Sequence, residues 1–141
     1  RLAVLAAFLP VIMGQAGVGG LQSFTLVVRG MALGEFKGRQ GLRMMVREGI
    51  LGVIQGLLVG AVVTLIAGLW QDNWILGGIV GIAMVANMFI GSVVGTGIPL
   101  LLRRIGVDPA VASAVFITTI TDVLGALLTL GLAALLIESL L

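Results

Sequence analysis

The 141-residue chain is too hydrophobic for a soluble globular domain. Sixty per cent of its residues are hydrophobic and 10% are charged, whereas soluble domains carry about 25% charged residues. The formal net charge is +2, and the chain contains neither cysteine nor histidine. This composition excludes disulfide bonds, imidazole metal ligands and histidine proton relays. It predicts an all-α, polytopic membrane protein.

Four stretches are long enough to cross the hydrocarbon core of a bilayer, which takes about 20 apolar residues. These stretches are continuously apolar and do not alternate with polar residues, so they are expected to be helices and not barrel strands. The whole chain, 1–141, is interpreted as a single transmembrane domain. The predicted spans are 2–28, 49–71, 73–102 and 109–137.

The basic residues concentrate in the connections between spans. The connection 29–48 contains five Lys or Arg and two Glu, the connection around 71–73 has no basic residue, and 103–108 opens with two Arg. Short loops rich in Lys and Arg stay in the cytoplasm. We therefore expect 29–48 to be a cytoplasmic basic loop, with a short interfacial helix at 41–48. Basic loops at span ends account for the high isoelectric point without nucleic acid as a partner.

This charge distribution predicts a multi-pass protein of the plasma or inner membrane with both ends of the chain outside. The sequence starts with Arg1 and not with Met. A chain that begins outside in this way is expected to follow an earlier span or a cleaved signal peptide.

Residues 13–23, MGQAGVGGLQS, combine clustered glycines with polar side chains. Each glycine costs a helix roughly 1 kcal/mol relative to alanine, so we expect a bent or unwound segment that lines an aqueous cavity. Gly91 and Gly95 have the small-xxx-small spacing that is typical of close helix packing. The pore-lining residues predicted on the first span are Gly17, Gly20, Gln22 and Thr25.

Asp122 is the only charged residue inside the four predicted spans. An acid at mid-depth costs on the order of 2.5–3.5 kcal/mol, and no Lys or Arg lies within a span to pair with it. Two interpretations remain. Asp122 is protonated and hydrogen-bonded to a neighbour such as Thr121 or Gln22, or it faces a water-filled path where a mobile cation is its partner.

Thr118, Asp122, Gly125 and Thr129 are spaced so that they lie along one side of a helix. Carboxylate and hydroxyl oxygens suit hard cations, so Asp122 and Thr118 are the predicted metal ligands. With one acid per chain, a homodimer with a pore near its two-fold axis would present two carboxylates to one divalent cation. Mg²⁺ fits, because it keeps its water and is often held by one or two carboxylates. The further pore-lining residues predicted here are Thr119, Thr121, Gly125 and Thr129.

Three stretches resemble the membrane domain of the MgtE family of magnesium channels. They are PVIMGQAGVGGLQSFTLVVRGMALGE at 10–35, GIPLLLRRIGVDPAVAS at 97–113 and FITTITDVLGALLTL at 116–130. The resemblance implies a homodimer with five spans per subunit, of which this chain carries the last four. It also implies that Asp122 binds Mg²⁺ in the pore.

The sequence departs from this family at several polar positions. Ala16, Gly17 and Val18 stand where the family usually has Gly-Gly-Asn, and Ala114 stands where some members have Asn. With fewer polar ligands, a carrier that couples divalent cations to Na⁺ or H⁺ is an alternative. A non-transporting membrane scaffold is another. An enzyme is not expected, because no second acid inside a predicted span could complete a general acid–base pair.

Overall fold

The computed structural model describes residues 2–36, 40–111 and 114–136. In this part of the chain all regular structure is helical, and four helices are long and apolar enough to cross a membrane. This confirms the predicted all-α, polytopic architecture. The helices are α1 (Leu2–Ala32), α2 (Gln40–Gln71), α3 (Trp74–Arg104) and α4 (Ala114–Leu135), with a short 3-10 helix (Pro109–Val111) before α4.

The helices extend beyond the apolar runs that predicted them. α1 continues to Ala32 and α2 begins at Gln40. Residues 41–48 therefore form the first turns of α2, and the prediction of a separate interfacial helix is wrong. The connection is correspondingly shorter than the loop expected over 29–48. The physical reason is that hydropathy marks the hydrocarbon-embedded part of a helix, whereas the backbone hydrogen bonds continue into the polar region, where Arg43 and Arg47 are exposed.

The start of the last span also differs from the prediction. Asp108 Oδ1 accepts a hydrogen bond from the Ala110 amide at 3.0 Å, but this caps only the 3-10 helix Pro109–Val111. α4 begins at Ala114. An Asp-Pro pair specifies how a helical turn starts and carries no information on how far it continues.

The glycine-rich part of α1, which was expected to be bent or unwound, is helical throughout, so the unwound alternative is wrong. Gly17, Gly19 and Gly20 are buried, and a Cβ on Gly19 would lie 3.5 Å from the Met88 methyl group. Packing against other helices therefore offsets the low intrinsic helix propensity of these glycines. Gly14 differs, because it is exposed and a Cβ there would have open space around it.

α1 and α3 approach each other to backbone contact. A Cβ on Gly91 would lie 2.5 Å from the Ala16 carbonyl oxygen, and a Cβ on Gly20 would lie 2.9 Å from the Gly91 carbonyl oxygen. A Cβ on Gly95 would overlap the Gly20 carbonyl oxygen. Larger residues do not fit unless the helices separate, which confirms the packing role predicted for Gly91 and Gly95.

α2 packs along α3 through a row of buried glycines that the sequence analysis did not identify. A Cβ on Gly52 would lie 2.8 Å from the Met88 carbonyl oxygen, and one on Gly56 would lie 2.7 Å from the Val85 Cα. The turn between the two helices is short: Asp72 has a positive φ of 48°, and Asn73 Oδ1 accepts hydrogen bonds from the first amides of α3. α3 is thus the central helix, packed against α1, α2 and α4.

Glu48 is buried, although the sequence analysis placed it in a cytoplasmic loop. Its side chain is 7% exposed, and Oε2 accepts a hydrogen bond of 2.8 Å from the Ser23 hydroxyl. Oε1 has no hydrogen-bond partner in the part of the chain that the structure describes. Since a buried polar group is costly unless it is hydrogen-bonded, the Ser23 hydroxyl stabilises Glu48 and links α1 to α2.

Gly95→Ala is expected to lower the free energy of unfolding by about 1–3 kcal/mol, because the added methyl group forces α1 away from α3. Denaturation by SDS in mixed micelles measures this change. Gly14→Ala is the matched control, and it should be neutral or slightly stabilising, since its methyl group meets open space. Equal stability of Gly95→Ala and the wild type would contradict the close approach of these helices.

Ser23→Ala is expected to cost about 1–3 kcal/mol of stability, since it leaves both carboxylate oxygens of buried Glu48 without a donor. The same denaturation measurement applies. Thr25→Ala, two residues further along α1 on its exposed face, should change stability by less than about 0.5 kcal/mol. A Ser23→Ala effect no larger than that of Thr25→Ala would show that the hydrogen bond is unimportant.

Candidate functional site

Asp122 lies about a third of the way along α4, eight residues after Ala114. At 1.5 Å per residue this is about 12 Å from the start of the helix, closer than a count from Pro109 suggests. The side chain is half-buried and stands between the buried Thr121 and the exposed Val123. Asp122 therefore sits at the edge of the packed face of α4, with access to its surroundings.

The carboxylate of Asp122 accepts no hydrogen bond from the residues that the structure describes. The Thr121 hydroxyl is directed to its own helix, toward the Ile117 and Thr118 carbonyl oxygens at 3.0 Å each. Gln22 is exposed on α1 and is not bonded to Asp122. Neither neighbour considered in the sequence analysis thus satisfies the carboxylate, and its oxygens are available to water or to a cation.

The predicted strip on α4 runs along the edge of the helix packing and partly inside it. Gly125 and Thr129 are buried, whereas Thr118 is half-buried like Asp122. The Thr118 hydroxyl donates to the Ala114 carbonyl oxygen at 2.9 Å, and the Thr129 hydroxyl donates to that of Gly125 at 2.8 Å. Each hydroxyl oxygen keeps lone pairs that can accept from water or bind a cation.

Thr119 and Thr121 occupy different sides of α4. Thr119 is exposed, and it lies three residues before Asp122, which places it one turn from Asp122 on the outer side of the strip. Thr121 is fully buried, in the row of small and polar residues that faces the rest of the bundle. The structure therefore places Thr118 on the inner side and Thr119 on the outer side of the edge that carries Asp122.

α1 contributes two faces to this region. Gly17 and Gly20 face α4: a Cβ on Gly17 would lie 3.4 Å from Thr118 Cγ2, and one on Gly20 would lie 2.9 Å from Ile117 Cγ2. These glycines let the turn of α4 that precedes Asp122 approach α1 closely. In the described chain they are buried in helix packing, so they shape the site through the distance between helices.

Gln22 and Thr25 lie on the other, exposed face of α1. They line a shallow groove of about 460 Å³ that also includes Val18 and Arg29. Because Gly17 faces Thr118 while Gly20 faces Ile117, α1 and α4 run antiparallel. Gln22 and Thr25 are therefore displaced from Asp122 toward the end of the bundle where α4 begins.

Asn87 is a buried polar residue in α3 that the sequence analysis did not single out. It is 0% exposed, and its Nδ2 donates a hydrogen bond of 3.1 Å to the Ile12 carbonyl oxygen. Its Oδ1 has no partner among the described residues, and a Cβ on Gly125 would overlap its amide group. Gly125 thus makes room for Asn87. The sequence could have indicated Asn87, because an amide side chain inside an apolar span marks a packing or functional position.

Among the residues that the structure describes, Asp122 is the one half-buried carboxylate within a helix that is long and apolar enough to cross a membrane. Within residues 2–36, 40–111 and 114–136, no three His, Cys, Asp or Glu side chains cluster as a metal site. A single carboxylate with nearby hydroxyls cannot replace the whole water shell of a divalent cation. Further ligands would have to be water or groups from a second subunit.

Comparison with known proteins identifies related chains. A family model named MgtE and described as a divalent cation transporter matches residues 9–132. The magnesium transporter MgtE of Enterococcus faecalis is 35% identical over 131 residues, which are 93% of this chain and 29% of that protein. That of Thermus thermophilus is 37% identical over 140 residues, 96% of this chain and 30% of that protein.

The magnesium transporter MgtE of Bacillus subtilis is 34% identical over 140 residues, which are 99% of this chain and 31% of that protein. The chain thus spans about a third of the length of the relatives that it matches. The family match extends over most of the chain and includes the glycines of α1, the central helix α3 and Asp122. This chain belongs to the MgtE family of divalent cation transporters.

Proposed function

We propose that this chain forms the membrane part of a magnesium transporter, in which Asp122 from each of two subunits holds one largely hydrated Mg²⁺. One observation carries the proposal: a half-buried carboxylate at membrane depth has no protein partner in the described chain. The relatives are named magnesium transporters, and this supports the choice of ion. The protein is a transporter and not an enzyme in this account.

Asp122 is costly to hold inside a transmembrane helix. A carboxylate in a transmembrane helix costs on the order of 2.5–3.5 kcal/mol, and neither Thr121 nor Gln22 hydrogen-bonds to it. Water and a cation offset that cost without a protein partner. A divalent ion has two charges and each chain supplies one acid, so a homodimer with paired Asp122 side chains balances the charge.

The surrounding residues have distinct parts in this proposal. Thr118, one turn before Asp122, offers a hydroxyl oxygen to the water shell of the ion. Gln22 and Thr25 present polar groups on the exposed face of α1, where they would line the aqueous path once a second subunit closes it. The buried glycines Gly17 and Gly20 hold α1 against the turn of α4 that carries Thr118.

The membrane and the orientation follow from charge. Arg29, Arg43 and Arg47 are exposed at the end of the bundle where α1 ends and α2 begins, and Arg103 and Arg104 are exposed at the end of α3. Basic residues at the same end of the bundle support a location of that end in the cytoplasm of a cell membrane. Both ends of this chain would then be outside.

Asp122→Ala is expected to reduce Mg²⁺ flux at least tenfold, because the pore loses its charged ligand. The full-length protein in liposomes, with a Mg²⁺-sensitive dye inside, measures the flux. Asp122→Asn should lose flux as well, since it keeps the size of the side chain and removes the charge. Gln55→Leu, at an exposed polar position of α2, is the control and should transport normally. Undiminished flux in Asp122→Asn would contradict the role of the Asp122 charge, and only a wild type without Mg²⁺ flux would favour a scaffold without transport.

Flux is expected to follow the Mg²⁺ gradient and the membrane voltage, because a hydrated ion in a pore needs no coupled movement of another ion. Liposomes clamped to a fixed voltage with potassium and valinomycin test this. Imposed Na⁺ and pH gradients, each in both directions, should leave the Mg²⁺ flux unchanged. A flux that reverses direction with either gradient would instead establish the coupled carrier.

A further inference from the structure

A cleft of about 470 Å³ opens between the end of α1 and the start of α2. Its lining combines an apolar part with basic residues, and it is separate from Asp122. Leu26, Phe36 and Met44 supply the apolar part, and Arg43 and Arg47 supply the two positive charges. Glu35 is the one acid in the lining, so the cleft favours a negatively charged occupant.

The two arginines lack an acidic partner in the described part of the chain. They are one turn apart on α2 and both are exposed, and neither forms an ion pair with a described residue. Glu48 follows Arg47 directly in the sequence, but it is buried on another side of α2 and accepts its hydrogen bond from Ser23. Two adjacent guanidinium groups therefore remain available, and guanidinium groups bind phosphate oxygens in a bidentate manner.

The same face of α2 continues as an exposed apolar surface. The spacing from Arg43 and Arg47 onward places Ile50, Ile54 and Leu58 on one side of the helix, and these side chains are 56%, 48% and 67% exposed. From Arg47 to Leu58 the helix rises about 16 Å. This length matches one leaflet of a hydrocarbon core that is about 30 Å thick.

We infer that this face of α2 is a binding site for an anionic phospholipid, whose phosphate contacts Arg43 and Arg47 and whose acyl chain packs on Ile50, Ile54 and Leu58. Charge complementarity selects an anionic headgroup, as in other basic pockets at the ends of transmembrane helices. The apolar stripe that begins one turn after the arginines selects a lipid over a free anion, because inorganic phosphate would leave that stripe unused.

Native mass spectrometry of the full-length protein tests the site, with phosphatidylglycerol and phosphatidylcholine of identical acyl chains as probes. The wild type is expected to retain phosphatidylglycerol roughly 10- to 30-fold better than phosphatidylcholine, given about 1 kcal/mol for each basic residue near the headgroup. The double variant Arg43→Gln/Arg47→Gln should lose most of that preference. Arg103→Gln/Arg104→Gln, at an exposed arginine pair on α3, is the matched control and should keep it.

Three results of the lipid comparison would overturn the inference. The first is a wild type without any preference for phosphatidylglycerol. The second is an Arg43/Arg47 double variant that keeps the wild-type preference. The third is an Arg103/Arg104 double variant that loses as much preference as the Arg43/Arg47 double variant, which would indicate general charge attraction. A competition arm distinguishes a free anion: inorganic phosphate at matched ionic strength should leave the bound phosphatidylglycerol in place. Displacement by phosphate alone would assign the arginines to a soluble anion and reject the lipid site.

Discussion

The backbones of α1 and α3 approach each other so closely that no side chain fits between them. Carbonyl oxygens of α1 lie directly against glycines of α3. Inside a bilayer, lipid is as apolar as the helices, so the hydrophobic effect does not drive helix association and close van der Waals packing must do so. Gly20, Gly91 and Gly95 supply that packing between α1 and α3. The same stretch of α1 packs against α4 through Gly17, so one set of glycines fixes three helices and thereby the position of Asp122.

Polar groups inside the bundle fall into two classes. Ser23 and Glu48 are hydrogen-bonded to each other, Asn87 is anchored to the α1 backbone, and buried threonines donate to carbonyl oxygens of their own helices. Each of these groups makes at least one hydrogen bond within the chain and so specifies how the helices fit together, although Glu48 Oε1 and Asn87 Oδ1 have no partner among the described residues. Asp122 differs, because it lies at the edge of the packing and no described residue donates to it. A group that is expensive in lipid and unsatisfied by its own chain points to an external partner.

The sequence predicted the fold class and the number of membrane helices, because length and hydropathy determine both in a bilayer. It did not predict the helix ends, since the first turns of α2 are polar and helical at the same time. It also assigned the glycines of 13–23 to a bent or unwound segment, whereas the structure has a continuous helix there. Local helix propensity is a weak constraint, and burial against α3 and α4 overrides it. The packing role of the α2 glycines was not predicted, because a span that is apolar on all sides does not indicate which of its faces packs against another helix.

Within the candidate site, the position of Asp122 and Thr118 on one edge of α4 could be predicted from helical spacing alone. The contact between Gly125 and Asn87 could not be predicted, because Asn87 lies 38 positions earlier in the sequence and only the folded bundle brings the two together. Glu48 was assigned to the loop for a similar reason: it directly follows Arg47 at the end of a stretch rich in charge, whereas its neighbour in space is Ser23. Contacts between distant segments thus account for what the sequence left undetermined.

The central claim is that two Asp122 carboxylates share one divalent cation. Anomalous diffraction from crystals of the full-length protein soaked in Mn²⁺ tests it most directly, because Mn²⁺ accepts the oxygen ligands that suit Mg²⁺ and scatters anomalously. The account predicts a peak on the two-fold axis of a dimer, between the Asp122 side chains and separated from them by water. An ordered dimer with Asp122 directed into lipid, or with manganese bound only elsewhere, would contradict it.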